Sequence, residues 1–255
     1  MGKVLAITNQ KGGVGKTTTS VNLSASLAAT KRKSLLIDLD PQGNATMGSG
    51  VDKKDLSISI YDVLMGEKSI EEATLSLEST RYDLLPSNSD LTGAEVGLLN
   101  ITNREAQLRK EIEKIRDKYA YIIIDCPPSL NMLTVNALVA ADSVVIPTQC
   151  EYYALEGLSA LLETIDKIKN VLNPKLDVEG LLRTMFDSRN NLANEVSKQL
   201  TDYFGDKVYN TIIPRNVRLA EAPSHGQPII LYDKTSTGAI AYLALAGELM
   251  RKEIQ

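Results

Sequence analysis

A doubly wound α/β fold, a mostly parallel sheet with helices on both faces, is what the sequence predicts on three observations. Apolar runs such as Val4-Leu5-Ala6-Ile7, Leu35-Leu36-Ile37 and Ile122-Ile123-Ile124 have no polar alternation, which marks strands buried on both faces. Segments of helical spacing separate these runs, and such β–α alternation belongs to a parallel sheet with crossover helices. Several runs end in glycines or aspartates, and the carboxyl ends of the strands are where an open α/β sheet places its ligand.

At 255 residues the chain is long for an average domain, yet a single α/β domain over 1–255 reaches this length around a large core. Hydrophobic residues at 43% and charged residues at 24% are ordinary for a soluble globular protein, and no run is long and apolar enough to span a bilayer. The start lacks a secretory pattern and Cys126 and Cys150 are too few for a disulfide framework, so the expected location is a reducing cytoplasm. With 28 basic and 32 acidic residues the net charge is −4, so any contact with DNA requires a local basic patch.

The first strand runs into Gln10-Lys11-Gly12-Gly13-Val14-Gly15-Lys16-Thr17-Thr18, followed by helical spacing at Val21, Leu23, Leu27 and Ala28. Strand, glycine loop and helix form the setting of a phosphate-binding loop. Gly12, Gly13 and Gly15 let backbone N–H groups converge on an anion, and the helix start adds its positive dipole end. Lys16 is placed to meet β- and γ-phosphates, Thr17 to hold Mg²⁺ and Thr18 to bond the α-phosphate.

The match to G-x-x-x-x-G-K-[ST] is imperfect, because Gln10 stands where the first glycine belongs and Lys11 follows it. Lys11-Gly12-Gly13-Val14-Gly15-Lys16-Thr17 resembles the deviant Walker A loop of the ParA/MinD/nitrogenase-iron-protein group of P-loop ATPases. The resemblance implies ATP and Mg²⁺ as cofactors and an ATP-dependent homodimer, with Lys11 reaching the partner subunit's nucleotide.

The second strand is read over Ser34 to Asp40, ending in two carboxylates before Pro41-Gln42-Gly43-Asn44. These carboxylates can cap a turn; the resemblance makes the stretch the first switch and Asp40 the general base or water-positioning group. Between Thr46 and Leu75 the glycines Gly48 and Gly50 suggest a mobile loop, and 60–64 and 70–77 suggest short helices. A strand is expected at 82–86 and an amphipathic helix from Gln107 to Tyr119, where Leu108, Ile112 and Ile115 share a face.

Tyr121 to Ile124 is a buried strand whose terminal Asp125 fits a Walker B aspartate, holding Mg²⁺ directly or through water. Pro127-Pro128-Ser129 resembles the family's second switch. A helix at 132–141, a strand at 143–147 and a long helix at 158–172 continue the alternation, with Tyr152 and Tyr153 expected to pack at a helix start. Strands are expected at 178–186 and 207–213, and a last amphipathic helix at 243–250, with 241–255 read as a core helix that leaves no tail for a membrane.

Pro214-Arg215-Asn216-Val217-Arg218 is similar to the nucleotide-base loop of the chromosomal ParA (Soj-like) branch, so Pro214 and Asn216 are implied to frame adenine. His225, the sole histidine, reads as a turn residue. In that branch the ATP-bound dimer holds double-stranded DNA without sequence preference and answers to a ParB-like centromere-binding protein. The residues matching its basic contacts are Arg189 and Arg218, with Arg215 a further candidate, which implies a nucleoid-associated cytoplasmic protein. The 233–238 stretch, Asp-Lys-Thr-Ser-Thr-Gly, lacks the arginine common in the branch. The alternatives are a membrane-associated positioning ATPase like MinD and a redox ATPase in which Cys126 and Cys150 from two subunits supply four thiolates.

Overall fold

The computed structural model describes residues 2–253. Its strands are β1 (Lys3–Ile7), β2 (Ser34–Asp38), β3 (Leu75–Leu77), β4 (Tyr82–Leu85), β5 (Tyr121–Asp125), β6 (Ser143–Gln149) and β7 (Asp177–Thr184). The helices are α1 (Lys16–Ala29), α2 (Asn44–Gly48), α3 (Ile60–Met65), α4 (Ile70–Ala73), α5 (Ala94–Gly97) and α6 (Gln107–Ile115), followed by α7 (Met132–Ala140) and α8 (Ala154–Val171). The last four are α9 (Asn191–Phe204), α10 (Val217–Glu221), α11 (Ile229–Tyr232) and α12 (Thr237–Lys252).

All seven strands join one sheet in the order β3-β4-β2-β5-β1-β6-β7, parallel except for β3 against β4. Successive strand residues point to opposite faces, and the two faces build two cores. Leu5, Ile7, Leu36 and Ile123 meet α1 and α12 through Leu23, Leu27, Tyr242 and Leu245. Val4, Ala6, Ile37 and Ile124 meet the helices of the other layer through Leu64, Ile112, Leu138 and Leu161. Burial on both faces is why these strands carry no polar alternation.

Strand order positions the site. Because β5 lies between β1 and β2, the segments leaving the carboxyl ends of three neighbouring strands meet there, carrying the glycine loop, Asp125 and the 38–44 segment.

Several expectations are corrected. The segment 70–77 is not one helix, since α4 stops at Ala73 and Leu75–Leu77 pairs antiparallel with β4, its exposed Ser76 between half-buried leucines giving a two-residue period. Gly48 closes α2, and Gly50 sits at φ 87°, where an added Cβ would stand only 2.9 Å from the Gly226 carbonyl oxygen, a chain crossing that only glycine accommodates. The expected strand at 207–213 is reduced to isolated bridges, Leu181 with Val208 and Phe186 with Pro214. The buried Glu248 carboxylate of α12 accepts the N–H groups of Asn210 and Thr211 at 2.7 and 2.8 Å, and that interrupts the ladder. β2 ends at Asp38, leaving Asp40 in the loop. Helix α9 lies in a stretch that carries no element in the sequence reading. The expected final helix reaches Lys252, and positions 254–255 of the 241–255 reading lie outside the described residues.

Candidate functional site

A cavity of about 760 Å³ opens at the carboxyl ends of the central strands, lined by the glycine loop, Asp40, Pro127 to Ser129 and Pro214 to Asn216. Gly13 and Gly15 adopt left-handed backbone, φ 74° and 86°, which turns the chain into α1 at Lys16. A Cβ added at Gly12 or Gly13 would meet nothing within 4 Å, so this cradle stands open to a ligand. The loop is anchored from below: Val14 is buried and its carbonyl accepts the Thr184 hydroxyl at 2.8 Å, while Asn9 Oδ1 accepts the Lys11 N–H at 3.0 Å.

Lys16 is 7% exposed and donates from Nζ to the Lys11 carbonyl at 3.2 Å. Burial pushes its ammonium down, opposed by the charges of Asp125, Cys126 and Asp40, so an anion in the loop would complete its solvation. Thr17 and Thr18 follow in the first turn of α1 and line the cavity. Lys11, the residue before Gly12, points to solvent rather than lining the cavity and pairs with Glu151 at 2.5 Å, both side chains 45% exposed. An ion pair so open to solvent is weak and exchangeable.

The aspartates separate by their partners. Asp38 and Asp125, neighbours in register across β2 and β5, are both wholly buried. Burial pushes both carboxyls up; at Asp125 the charge of Asp38 adds to this, and the hydroxyls of Ser20 and Thr17 work against it. Asp38 spends its oxygens on the Thr46 N–H and hydroxyl and on the Asp40 N–H. Asp125 Oδ1 accepts the Ser20 hydroxyl at 2.7 Å, but its buried Oδ2 has no hydrogen-bond partner among the described residues. An unpartnered buried carboxylate oxygen beside a second carboxylate fits a cation. Thr17 and Asp125 are therefore the residues that could hold Mg²⁺, whereas both oxygens of Asp38 already accept hydrogen bonds from the protein.

Asp40 is 9% exposed, lines the cavity and caps its own turn, Oδ1 accepting the Gln42 N–H at 2.9 Å. At the far end Pro214 and Asn216 line the cavity with Arg215. The Asn216 carboxamide is already engaged, capping α10 through the Leu219 N–H at 3.2 Å and donating to the Thr237 hydroxyl at 2.7 Å.

Of the candidate arginines for DNA, Arg215 lines the cavity, whereas Arg189 and Arg218 are not among its lining residues. Arg189 has an 87% exposed side chain and forks onto Asp187 at 2.9 and 2.7 Å, bonds that hold the Asp187 carboxyl down to about 2. Arg218 pairs with Glu221 at 2.9 Å and Asp233 at 3.7 Å. Tyr152 and Tyr153, expected to pack, are instead 75% and 68% exposed and meet edge to face. His225 stacks on Tyr232 at 4.9 Å in a short turn of helix. Cys126 and Cys150 are buried, and burial pushes both thiols up, away from the thiolate an iron cluster needs.

Ser20, Thr184, Glu151 and Ser87 also belong to this framework and were not singled out from the sequence. Ser20 alone had a readable signal, since it lies three residues after Thr17 on the same face of α1.

An open glycine cradle on a helix start, a buried lysine and a cation-ready aspartate define a P-loop nucleotide-binding protein of the deviant Walker A type. The family model described as an AAA domain matches residues 2–178. The chain is 55% identical over 249 residues to the sporulation initiation inhibitor protein Soj of Bacillus subtilis, covering 98% of both chains. It is 54% identical over 253 residues to the chromosome partitioning protein ParA of Myxococcus xanthus, covering 99% of this chain and 89% of that one. Among solved structures, cobyrinic acid a,c-diamide synthase from Mycobacterium smegmatis with bound ATP analog and magnesium superposes with a TM-score of 0.88 at 38% identity, over 100% of this chain and 97% of the other. The chain belongs to the ParA/MinD family of ATPases.

Proposed function

We propose that this chain is a DNA-partitioning ATPase in which Mg-ATP drives formation of a homodimer that holds double-stranded DNA without sequence preference. Hydrolysis, slow alone and stimulated by a ParB-like centromere-binding partner, resets it. The observation that carries the reading is the division of the two lysines: Lys16 is buried and lines its own phosphate cradle, while Lys11, one residue before Gly12, is exposed on an exchangeable pair with Glu151. A lysine in that place can reach a nucleotide held by a second copy, which makes ATP binding and dimerisation one event.

In this reading the N–H groups of Gly12 to Thr18 and the Lys16 ammonium bind the phosphates, and Pro214 and Asn216 border the base. Thr17 and Asp125 would hold the cation, which would supply positive charge to offset that of the phosphates. Asp40 orients the attacking water or accepts its proton, and Lys11 adds positive charge where the transition state gains negative charge. The names of the Soj and ParA relatives support the partitioning role. The membrane alternative loses ground because the apolar residues of α12, Tyr242, Leu245 and Leu249, are buried in the same core as α1 rather than offered to lipid.

DNA binding measured with ATP, with ADP and without nucleotide across a salt series tests the proposal. Binding with ATP alone, falling steeply with salt, is expected; equal binding in all three states would overturn it.

A further inference from the structure

Behind the cavity wall one serine closes the first switch from both ends. Ser87 follows β4 by two residues and is wholly buried. Its hydroxyl donates to the Asp40 carbonyl at 2.8 Å, and its N–H donates to Thr46 Oγ1 at 2.9 Å. The Thr46 hydroxyl donates its own proton to Asp38 Oδ2 at 2.7 Å, and the Thr46 N–H meets the same oxygen at 2.8 Å. Asp38 Oδ1 completes the ring by accepting the Asp40 N–H at 3.2 Å. The main chain of Asp40 is thus held on its N–H side by Asp38 and on its carbonyl side by Ser87, and the 40–46 segment cannot shift without breaking a buried bond.

Neither Ser87, Thr46 nor Asp38 lines the cavity, so none of them touches a nucleotide there. Asp40 does, and its short side chain leaves the carboxylate wherever the backbone puts it. We propose that Ser87 is a positioning residue for hydrolysis: through the Asp40 carbonyl and Thr46 it fixes where the Asp40 carboxylate stands relative to the terminal phosphate. The inference rests on the reading of Asp40 as the water-orienting group. It goes beyond that reading by giving the switch a fixed anchor in the segment after β4, which contributes nothing to the phosphate cradle. A displacement of about 1 Å in a catalytic group costs up to about 100-fold in rate, while phosphate contacts made elsewhere stay intact.

The test compares Ser87→Ala, Thr46→Val, Thr46→Ser and Asp40→Ala, each checked for folding by thermal melting, with ATP affinity and single-turnover hydrolysis measured separately. Ser87→Ala and Thr46→Val are expected to slow hydrolysis about 10- to 100-fold with ATP affinity within about twofold of the parent. Thr46→Ser, which keeps the hydroxyl and removes only a methyl, is expected to restore most of the rate. A folded Ser87→Ala protein that hydrolyses at the parental rate, while Asp40→Ala does not, would overturn the positioning role alone. Equal losses of ATP affinity and rate in Ser87→Ala would overturn it as well, since they would mark general loosening. Parental hydrolysis by Asp40→Ala would instead remove Asp40, and the inference with it.

Discussion

Asp125 is wholly buried beside Asp38, and burial together with that neighbouring charge pushes its carboxyl up, which has a measurable consequence. A carboxyl whose folded pKa is raised stabilises the fold below its unfolded pKa, and the contribution is lost as pH rises through the folded value. Without magnesium, stability should therefore decline as pH climbs above the ordinary carboxylate range, and Asp125→Asn should flatten that decline while ending magnesium-dependent hydrolysis. Thermal melts in chelator from about pH 5 to about pH 9 check it; identical slopes for the two proteins would refute it. The lysines should separate too. Lys16→Ala should weaken ATP binding about 100-fold or more, since it strips a largely buried cation from the cradle. Lys11→Ala should bind ATP yet fail to dimerise, and sedimentation showing its ATP-dependent dimers at parental abundance would contradict that division. Asp40→Ala should keep ATP affinity and lose hydrolysis by about 100-fold or more, with dimers accumulating. Lys16 and Asp125 could be singled out as candidates because a phosphate loop and a strand-terminal aspartate are local patterns, whereas Lys11 and Asp40 took their roles from the family resemblance alone. Ser87 and Glu151 were not, because each meets the site from a distant stretch, Ser87 across 47 positions and Glu151 across 140.

At the scale of elements, legibility followed burial. Strands covered on both faces announce themselves as unbroken apolar runs, so β1, β2, β5 and β6 could be read directly. The short edge strand β3 could not, because three residues after a capped turn carry too little pattern. Helix α9 has its periodicity in Ala193, Val196 and Leu200, diluted by polar neighbours. The misread strand at 207–213 is the instructive case, since its own sequence does suit a ladder and a carboxylate from α12 prevents one. Glu248 thereby ties the last helix to the segment that leads into Pro214 and Asn216. Glu248→Ala leaves two part-buried N–H groups without acceptors and should cost roughly 2–3 kcal/mol in denaturant unfolding. It should also weaken nucleotide binding, because the base end of the cavity follows directly from this segment. Unchanged stability and unchanged affinity would show that the loop holds its shape without α12.

For the whole molecule the proposed function requires that a chain of net charge −4 hold a polyanion under the control of a nucleotide. The candidate arginines Arg189 and Arg218 are each paired with carboxylates. Such exposed pairs are easily exchanged, so a phosphate can displace Asp187 or Glu221 as partner, provided enough cations act together. The proposed dimer would double the phosphates neutralised and with them the steepness of the salt dependence, so ATP would set DNA affinity without touching the DNA. The double change Arg189→Glu with Arg218→Glu should then abolish DNA binding while ATP-dependent dimerisation survives, because both positions lie outside the phosphate cradle and the cation site. Replacing a single arginine by alanine should give an intermediate result, a salt slope shallower by about one for each phosphate left without its arginine. Retention of parental DNA binding by the charge-reversed protein, shown to dimerise and compared at the same salt, would place the DNA surface elsewhere on the dimer.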